Sequence, residues 1–164
     1  MIIAAREGQL PFIMWMHDTY PDTMEVDRKT SEGWTAFHYA CNNGFTNTME
    51  YLMDDLKCDI HAKDKYNRTA LHWAARFRNL GVVEYLTAAG LSFNTLDIEG
   101  WSALDLAKHH RNDGCIKIML NQMEYIEKQN KRKAAKKELT EERSKAAEKT
   151  IGGKLKKVLE FKLH

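Results

Sequence analysis

The side chains of this sequence that could take part in catalysis or bind a metal are its histidines, its acidic residues and its three cysteines. His38 and His72 lie 34 positions apart, and each is followed two residues later by an alanine. Such a pair could act as a general acid and base, or bind a metal ion through the imidazole nitrogens. The adjacent pair His109 and His110, together with nearby Asp105 and Asp113, could also hold a metal. The alternative, which we favour, is that this second group is the polar, solvent-facing end of a helix.

No motif that assembles a catalytic site accompanies these residues. The sequence has no H-E-x-x-H, no G-x-S-x-G, no glycine-rich phosphate loop and no Cys/His cluster with zinc spacing. Cys41, Cys58 and Cys115 are odd in number and include no C-x-x-C pair, which indicates reduced thiols in an intracellular protein. We therefore expect a protein without enzymatic activity, without a bound metal and without a cofactor.

Three segments of the sequence are similar to one another. They are residues 33–41 (GWTAFHYAC), 67–75 (NRTALHWAA) and 100–108 (GWSALDLAK), offset by 34 and then by 33 positions. This period and the motifs TAFHYA and TALHWA resemble the ankyrin repeat, whose signature is T-P-L-H-x-A. Every copy has alanine where that family has proline, and alanine is itself a strong helix former.

The resemblance implies an all-α fold, an ankyrin-repeat solenoid of helix-turn-helix units with β-hairpin tips. The turn position, where a left-handed backbone is required, is occupied by Gly33, Asn67 and Gly100. The hydroxyl residues expected to cap the first helix of each unit are Thr35, Thr69 and Ser102. In the ankyrin pattern the histidine hydrogen-bonds backbone between repeats, so a structural role is expected for His38 and His72.

The ankyrin-like region covers residues 1–122, in units of about 1–26, 27–60, 61–93 and 94–122. The first unit is partial, because residues 3–8 align with the end of a first helix. A single helix is expected from about Gly114 to Thr150, ended by Gly152-Gly153, and residues 123–151 are assigned to its extended basic part. A short amphipathic segment, residues 152–164, would follow.

Ankyrin stacks bind partner proteins through the hairpin tips and the exposed side of the first helices. Trp, Tyr and Arg most often dominate binding energy at interfaces. The candidate partner-binding residues on this face are Trp34, Tyr39, Tyr66, Arg68, Trp73, Arg76, Phe77, Trp101 and His110. The same mapping places Asn42, Asn43, Leu106 and His109 on this face. The alternative is that one or two of the tryptophans are buried packing residues.

The formal net charge of +2 conceals a strong asymmetry. Residues 1–127 have 12 basic and 18 acidic side chains, a net charge of −6, and residues 128–164 have 13 and 5, a net charge of +8. The basic helix has a dense cluster of cations at Lys131, Arg132, Lys133, Lys136 and Lys137.

This basic cluster admits several interpretations. It is similar to a nuclear-import sequence, and its charge would suit an acidic protein surface, such as tubulin tails, or a nucleic-acid backbone. No aromatic residues lie between the lysines to stack on bases, which argues against nucleic acid. The remaining alternative is a solvated helix supported by pairs such as Glu141–Lys145.

The sequence therefore predicts a non-enzymatic adaptor. Its ankyrin face would bind one protein and its basic helix would contact a second, in a cytoskeletal or axonemal assembly. The alternative is a nuclear regulator whose basic segment serves import or touches nucleic acid. We expect an intracellular, cytoplasmic location, or a nuclear one under the alternative. No apolar run approaches the ~18–20 residues that cross a bilayer, the N-terminus does not resemble a secretory signal, and no small-molecule substrate is expected.

Overall fold

The computed structural model describes the backbone of residues 1–162 and the side chains of residues 1–146. Within that range the regular elements are helices, and no residue of 1–162 lies in a β-strand. A short 3-10 turn spans Pro21–Thr23. The α-helices are α1 (Ile2–Arg6), α2 (Leu10–Thr19), α3 (Ala36–Asn43), α4 (Thr46–Asp54), α5 (Ala70–Arg76), α6 (Leu80–Ala88), α7 (Ala103–His109) and α8 (Asp113–Lys162).

The helices form pairs, and the pairs stack in a row. α1 packs on α2, α3 on α4 and α5 on α6 within their units. Between units, α1 packs on α3, α3 on α5 and α5 on α7, while the second helices α4 and α6 also meet. This is the solenoid of helix-turn-helix units that the resemblance implies, with α1 as the shortened first helix of a partial unit.

Each full unit starts its first helix with the same reciprocal cap. The backbone N–H of His38 donates to Thr35 Oγ1 at 3.4 Å, and the backbone N–H of Thr35 donates to His38 Nδ1 at 3.3 Å. Thr69 and His72 form the same box, as do Ser102 and Asp105 in the last unit. These boxes satisfy amide groups that a helix start would otherwise leave unpaired, so the predicted hydroxyl caps are confirmed.

The other nitrogen of each histidine ring connects one repeat to the next. His38 Nε2 lies 3.4 Å from the carbonyl oxygen of Arg68, and His72 Nε2 lies 2.9 Å from that of Thr95. Because Nδ1 accepts a hydrogen bond within the cap, Nε2 is the nitrogen with a proton to donate. The expected structural role of both histidines is confirmed. Burial lowers the pKa of both rings, which keeps them neutral at pH 7.

The tips that precede the first helices are tight turns joined to one another by backbone hydrogen bonds. The turn residues Gly33, Asn67 and Gly100 all have positive φ, as predicted. At Gly33 a side chain would also clash, because a Cβ atom would lie 2.8 Å from the backbone nitrogen of Lys65. That close approach lets the Lys65 N–H donate to the carbonyl of Glu32 in the preceding tip. Neighbouring tips therefore stack without forming strands.

Small side chains allow the first helices to pack closely. Ala40, Cys41, Ala74 and Ala75 are completely buried. The second helices contribute the larger apolar side chains, and the fully buried ones are Ile13, Met49, Leu52, Val82, Val83, Leu86 and Met119. The core is thus a continuous apolar layer along the stack, as expected for repeats that bury their faces only against neighbours.

Two asparagines provide a further connection between repeats. Asn79 Nδ2 donates to the carbonyls of Cys41 and Asn42 at 2.9 and 2.6 Å. Asn112 Nδ2 donates to the carbonyls of Ala75 and Arg76 at 2.6 and 3.0 Å. Each amide therefore satisfies carbonyl groups at the C-terminal end of the preceding repeat's first helix, where intrahelical partners run out.

The chain divides into two compact units, Met1–Gln122 and Met123–His164. α8 extends to Lys162, so the prediction that Gly152-Gly153 ends the helix is wrong. Helical hydrogen bonds need no side chain, and the cost of about 1 kcal/mol per glycine is offset by the Ala, Lys, Glu and Leu residues around the pair. The side chains of residues 147–164 lie outside the described residues, so the predicted apolar pattern of 152–164 stays a prediction.

We expect the free energy of unfolding to fall as the pH is lowered from about 7.5 to 5.5. Because burial holds the pKa of His38 and His72 below 6.5, the unfolded chain binds more protons than the folded chain in this range. The contribution of these two neutral histidines to stability is therefore fully present well above pH 6.5 and is lost as the pH falls through 6.5 toward the lower pKa of the folded state. Urea unfolding at both pH values measures the effect.

The variant His72→Gln should weaken this pH dependence, while His61→Gln, which changes an exposed histidine, should leave it unchanged. His72→Gln should also cost about 1–3 kcal/mol at pH 7.5, since it removes buried hydrogen bonds. Equal pH dependence in His72→Gln and the unmodified chain would contradict the assignment.

Candidate interaction surface

The predicted binding residues lie on the tips and on the exposed side of the first helices. Tyr66, Phe77 and His110 are exposed. The half-buried members are Trp34, Tyr39, Arg68, Trp73, Arg76 and Trp101. The prediction that Leu106 belongs to the exposed face is wrong, because its side chain is only 8% exposed. At this position an aliphatic side chain gains free energy from burial.

Four aromatic rings from two adjacent repeats meet on this face. The ring centroids of Trp34 and Trp73 are 4.6 Å apart, and those of Trp34 and Tyr39 are 4.7 Å apart. Trp73 and Phe77 stack at 6.3 Å with an interplanar angle of 16°. With the two guanidinium groups described below, these rings form what we call the aromatic–arginine patch: Trp34, Tyr39, Arg68, Trp73, Arg76 and Phe77.

A buried carboxylate, Asp64, orients the middle of the patch. Its Oδ1 accepts hydrogen bonds from the backbone N–H groups of Tyr66 and Arg68 at 2.8 and 2.9 Å, which fixes the tip. Its Oδ2 accepts from Trp73 Nε1 at 3.0 Å. The indole ring is therefore held in one orientation by the turn that precedes its own helix.

The corresponding carboxylate of the next repeat, Asp97, orients an arginine of the patch. Its Oδ1 accepts from the backbone N–H groups of Glu99 and Trp101, both at 2.9 Å, and its Oδ2 pairs with Arg68 Nε at 2.8 Å. Burial acts to raise the pKa of Asp97, but the hydrogen bonds from Trp101 and Arg68 outweigh it and hold the pKa below its ordinary value. Arg68 is thus a fixed part of the stack as well as of the surface.

The two arginines of the patch differ in how their charges are met. The guanidinium of Arg68 lies 5.4 Å from the Trp73 ring and is neutralised by Asp97, with Glu99 a further 3.5 Å contact. The guanidinium of Arg76 lies 5.6 Å from the Trp73 ring and 5.5 Å from the Phe77 ring. Within the residues whose side chains are described, no carboxylate comes within 4.0 Å of Arg76.

The predicted residues Trp101 and His110 belong to a second ring cluster in the last repeat. Trp101 meets His109 edge-on at 5.1 Å, and His109 meets His110 at 4.9 Å. The pKa of His110 is lowered by partial burial, and then by the positive charge of Arg76 and by His109. This influence of Arg76 connects the second cluster electrostatically with the aromatic–arginine patch.

The histidines and cysteines that could act in catalysis are hydrogen-bonded or buried in the fold. Both ring nitrogens of His38 and of His72 are hydrogen-bonded, and the three cysteines are free, buried thiols. Burial raises the pKa of Cys58 to about 12, so its reactive thiolate form is suppressed. Over residues 1–146, no three His, Cys, Asp or Glu side chains gather as a metal site would require.

The predicted basic cluster lies on α8. Its members are all exposed: Lys131, Arg132, Lys133, Lys136 and Lys137. Lys137 pairs with Glu141 at 3.9 Å, whereas the sequence analysis suggested Lys145 as the partner of that glutamate. Both lysines lie four residues from Glu141, and the carboxylate makes its ion pair with the one on its N-terminal side.

Comparison with known proteins decides the family. A profile described as "Ankyrin repeats (3 copies)" matches residues 1–97 and 57–133 of the chain. The chain belongs to the ankyrin repeat family. Ankyrin repeats are a non-enzymatic fold for protein–protein interaction.

Individual relatives match parts of this ankyrin repeat protein. A putative ankyrin repeat protein of Rickettsia bellii is 27% identical over 73% of this chain and 65% of its own length. The probable 26S proteasome regulatory subunit p28 of Saccharomyces cerevisiae is 29% identical over 62% of this chain and 44% of its own. Human palmitoyltransferase ZDHHC17 is 40% identical over 37% of this chain but only 10% of its own. The chain thus spans less than two thirds of these relatives, so their activities do not transfer with the match.

Over the part of the chain whose side chains are described, no helix combines the length and apolar character needed to cross a bilayer.

Two residues that organise the surface, Asp64 and Asp97, were missed by the sequence analysis. A signal was present, because they lie 33 positions apart and each precedes its turn residue, Asn67 or Gly100, by three. An aspartate at that place accepts backbone N–H groups of the following turn. What the spacing could not show is that the second carboxylate oxygen would reach Trp73 or Arg68.

Paired substitutions distinguish the two arginines. Arg68→Met leaves the buried carboxylate of Asp97 without its ion-pair partner, so we expect a loss of about 2–4 kcal/mol in the free energy of unfolding. Arg76→Met removes a guanidinium with no such partner and should cost less than about 1 kcal/mol. Urea unfolding of both variants at neutral pH tests this. Similar losses in the two variants would contradict the assigned difference.

Proposed function

We propose that this protein is a non-enzymatic adaptor that binds one protein through the aromatic–arginine patch and contacts a second through the basic side chains of α8. The observation that carries the proposal is the patch itself. Phe77 is exposed and the other members are half-buried on one face, and hydrogen bonds to buried carboxylates hold Trp73 and Arg68 in place. Sites of this composition dominate the energy of protein interfaces.

The fixed orientation of the patch favours binding further. A partner that meets freely moving side chains must pay about 0.5–1.5 kcal/mol for each one that it immobilises. The Trp73 indole and the Arg68 guanidinium are already positioned by Asp64 and Asp97, so little of this cost remains. Exposed aromatic side chains in a cluster are also unusual in a protein surface that binds nothing.

The proposal for α8 rests on exposure and charge. Every side chain from Lys131 to Ala146 is exposed, and that stretch contains seven basic and three acidic residues. The one ion pair that the structure gives there, Lys137–Glu141, leaves most of the cations to water or a partner. A helix that is polar all round often bridges separate objects rather than packing into a core.

We further propose a cytoskeletal or axonemal setting in the cytoplasm, in which the basic helix meets an acidic surface such as tubulin tails. The small repeat domain and the extended basic helix would suit a fixed part of a large assembly. The relative from S. cerevisiae is named as a subunit of the 26S proteasome, so a similar stack serves as a component of an assembly there. The second candidate is a nuclear regulator whose basic cluster serves import or contacts nucleic acid. The high density of lysine and arginine in residues 131–137 favours it.

Affinity capture tests the patch. The full chain and the double variant Arg76→Ser, Phe77→Ser are immobilised, and proteins captured from native cells are identified by mass spectrometry. We expect the variant to lose the specific partners, since hot-spot losses of about 2 kcal/mol weaken binding roughly 30-fold. Leu80→Ser is the control, because Leu80 is 46% exposed and belongs to the second helix α6 rather than to a tip or a first helix. Retention of all partners by the double variant would contradict the proposal.

Co-sedimentation with microtubules tests the helix. Replacing Arg132, Lys133 and Lys136 by glutamine preserves helix propensity and should abolish binding, and affinity of the unmodified chain should fall steeply with salt. The control replaces three exposed lysines of the repeat region by glutamine: Lys57, Lys63 and Lys117. If the unmodified chain instead binds duplex DNA with comparable salt dependence and ignores microtubules, the nuclear candidate replaces the cytoskeletal one.

A further inference from the structure

The charge of the aromatic–arginine patch is unbalanced at one point. Arg68 is neutralised by Asp97, and Lys65 forms an ion pair with Glu32. Arg76, in contrast, has no carboxylate within 4.0 Å among the described side chains, although it is only half exposed. A half-buried guanidinium normally finds a partner, because removing the charge from water without one is unfavourable.

The two buried carboxylates that contact the patch are already engaged. Asp64 accepts three hydrogen bonds from the tip and from Trp73, and Asp97 accepts two backbone hydrogen bonds besides its pair with Arg68. The groups that influence His110 electrostatically are Arg76 and His109, and neither is an acid. The Arg76 end of the patch is thus basic, even though residues 1–127 have a net charge of −6.

We propose that the aromatic–arginine patch binds a peptide segment in which an aspartate or glutamate lies close to an aromatic or large aliphatic side chain. The inference rests on the proposed function of the patch and names the chemistry of its partner. The carboxylate would pair with Arg76, and the apolar side chain would contact the rings of Trp73 and Phe77. A carboxylate and a neighbouring apolar side chain of one peptide can make both contacts together, because the Arg76 guanidinium lies 5.6 and 5.5 Å from the centroids of these two rings.

The aromatic rings prepare Arg76 for this role. A guanidinium near an aromatic ring is attracted by the ring electrons and can still form a bidentate pair with a carboxylate. The contacts with two rings also limit the conformations of this long side chain, so less entropy is lost when the pair forms. Lysine could not replace it, because an ammonium group has neither the planar fork nor the stacking surface.

The same residue types could stack nucleic-acid bases, and the charges decide against that occupant. A single strand needs a row of cations that follows its phosphates. In the patch Asp97 neutralises one guanidinium and only Arg76 is left unpaired among the described side chains, so the patch has no such row of cations. One unpaired cation beside aromatic rings fits one carboxylate beside one apolar side chain.

Selection from a library of random dodecapeptides displayed on phage tests the inference, with the full chain as bait. We expect enriched peptides to contain Asp or Glu within two or three residues of Trp, Phe, Tyr or Leu. Arg76→Gln should weaken a selected peptide by about tenfold or more, while Arg78→Gln, which changes an exposed arginine two residues away, should change affinity less than about twofold. Selection on Arg76→Glu should reverse the preference toward Lys and Arg.

The outcomes separate this inference from the function on which it rests. Enriched peptides that lack carboxylates, but are lost with Phe77→Ser, would overturn the inference and leave the patch as a binding site. Peptides indifferent to both Arg76→Gln and Phe77→Ser, or no enrichment at all, would overturn both. Tighter binding of a single-stranded oligonucleotide than of any selected peptide would overturn the choice of a peptide. Urea unfolding of each variant excludes loss of fold as the cause.

Discussion

The stack depends on buried polar side chains that form hydrogen bonds with backbone groups, several of them in two repeats at once. His72 closes the cap of its own helix through Nδ1 and reaches the carbonyl of Thr95 through Nε2. Asn112 reaches back to the carbonyls of Ala75 and Arg76. Because an unpaired buried polar group costs free energy, each of these side chains specifies the spacing of adjacent repeats as well as contributing to stability. The apolar core alone, built largely of alanine and aliphatic residues, would permit neighbouring units to slide.

The same principle connects stability with binding. Asp64 and Asp97 use one oxygen to hold a turn and the other to hold a side chain of the surface, Trp73 or Arg68. The surface groups that are fixed in this way cannot also be free to adapt to a partner. Specificity must then come from side chains that make no hydrogen bond or ion pair within the described part of the stack. In the patch, Arg76 and Phe77 are side chains of this kind that a partner can reach.

The sequence was most informative where local rules act. Thr35, His38 and Gly33 could be assigned to a cap, a cross-link and a left-handed turn because the repeat places each at a fixed offset. The site was predicted as a set of accessible residues, but not as a set of contacts. Arg68 and Asp97 lie 29 positions apart and meet only because consecutive tips stack, so local pattern could not distinguish Arg68 from Arg76.

The errors have the same origin. Leu106 occupies a position that carries Tyr39 and Trp73 in the other repeats, and alignment alone placed it on the exposed face. Its side chain is only 8% exposed, whereas Tyr39 and Trp73 at the same position of the repeat are half-buried. The helix expected to stop at Gly152 continues to Lys162, because glycine is a weak helix former rather than a barrier, and a run of strong helix formers outweighs it. In both cases a rule based on one sequence position failed, because other residues of the protein decide the local structure.

The asymmetry of charge acquires a physical meaning once the contacts are known. In the repeats, the carboxylates of Asp64 and Asp97 near the patch are neutralised inside the stack. They accept hydrogen bonds from backbone N–H groups, from the Trp73 indole and from the Arg68 guanidinium. Charge that is neutralised internally contributes little to recognition, so a net charge of −6 over residues 1–127 does not make the binding face acidic. On α8 the opposite holds, because the exposed cations from Lys131 onward outnumber the acids and most have no ion pair in the described residues. A partner therefore responds to the charges that remain unpaired on each surface, one guanidinium on the repeats and many cations on the helix, rather than to the sum over either part.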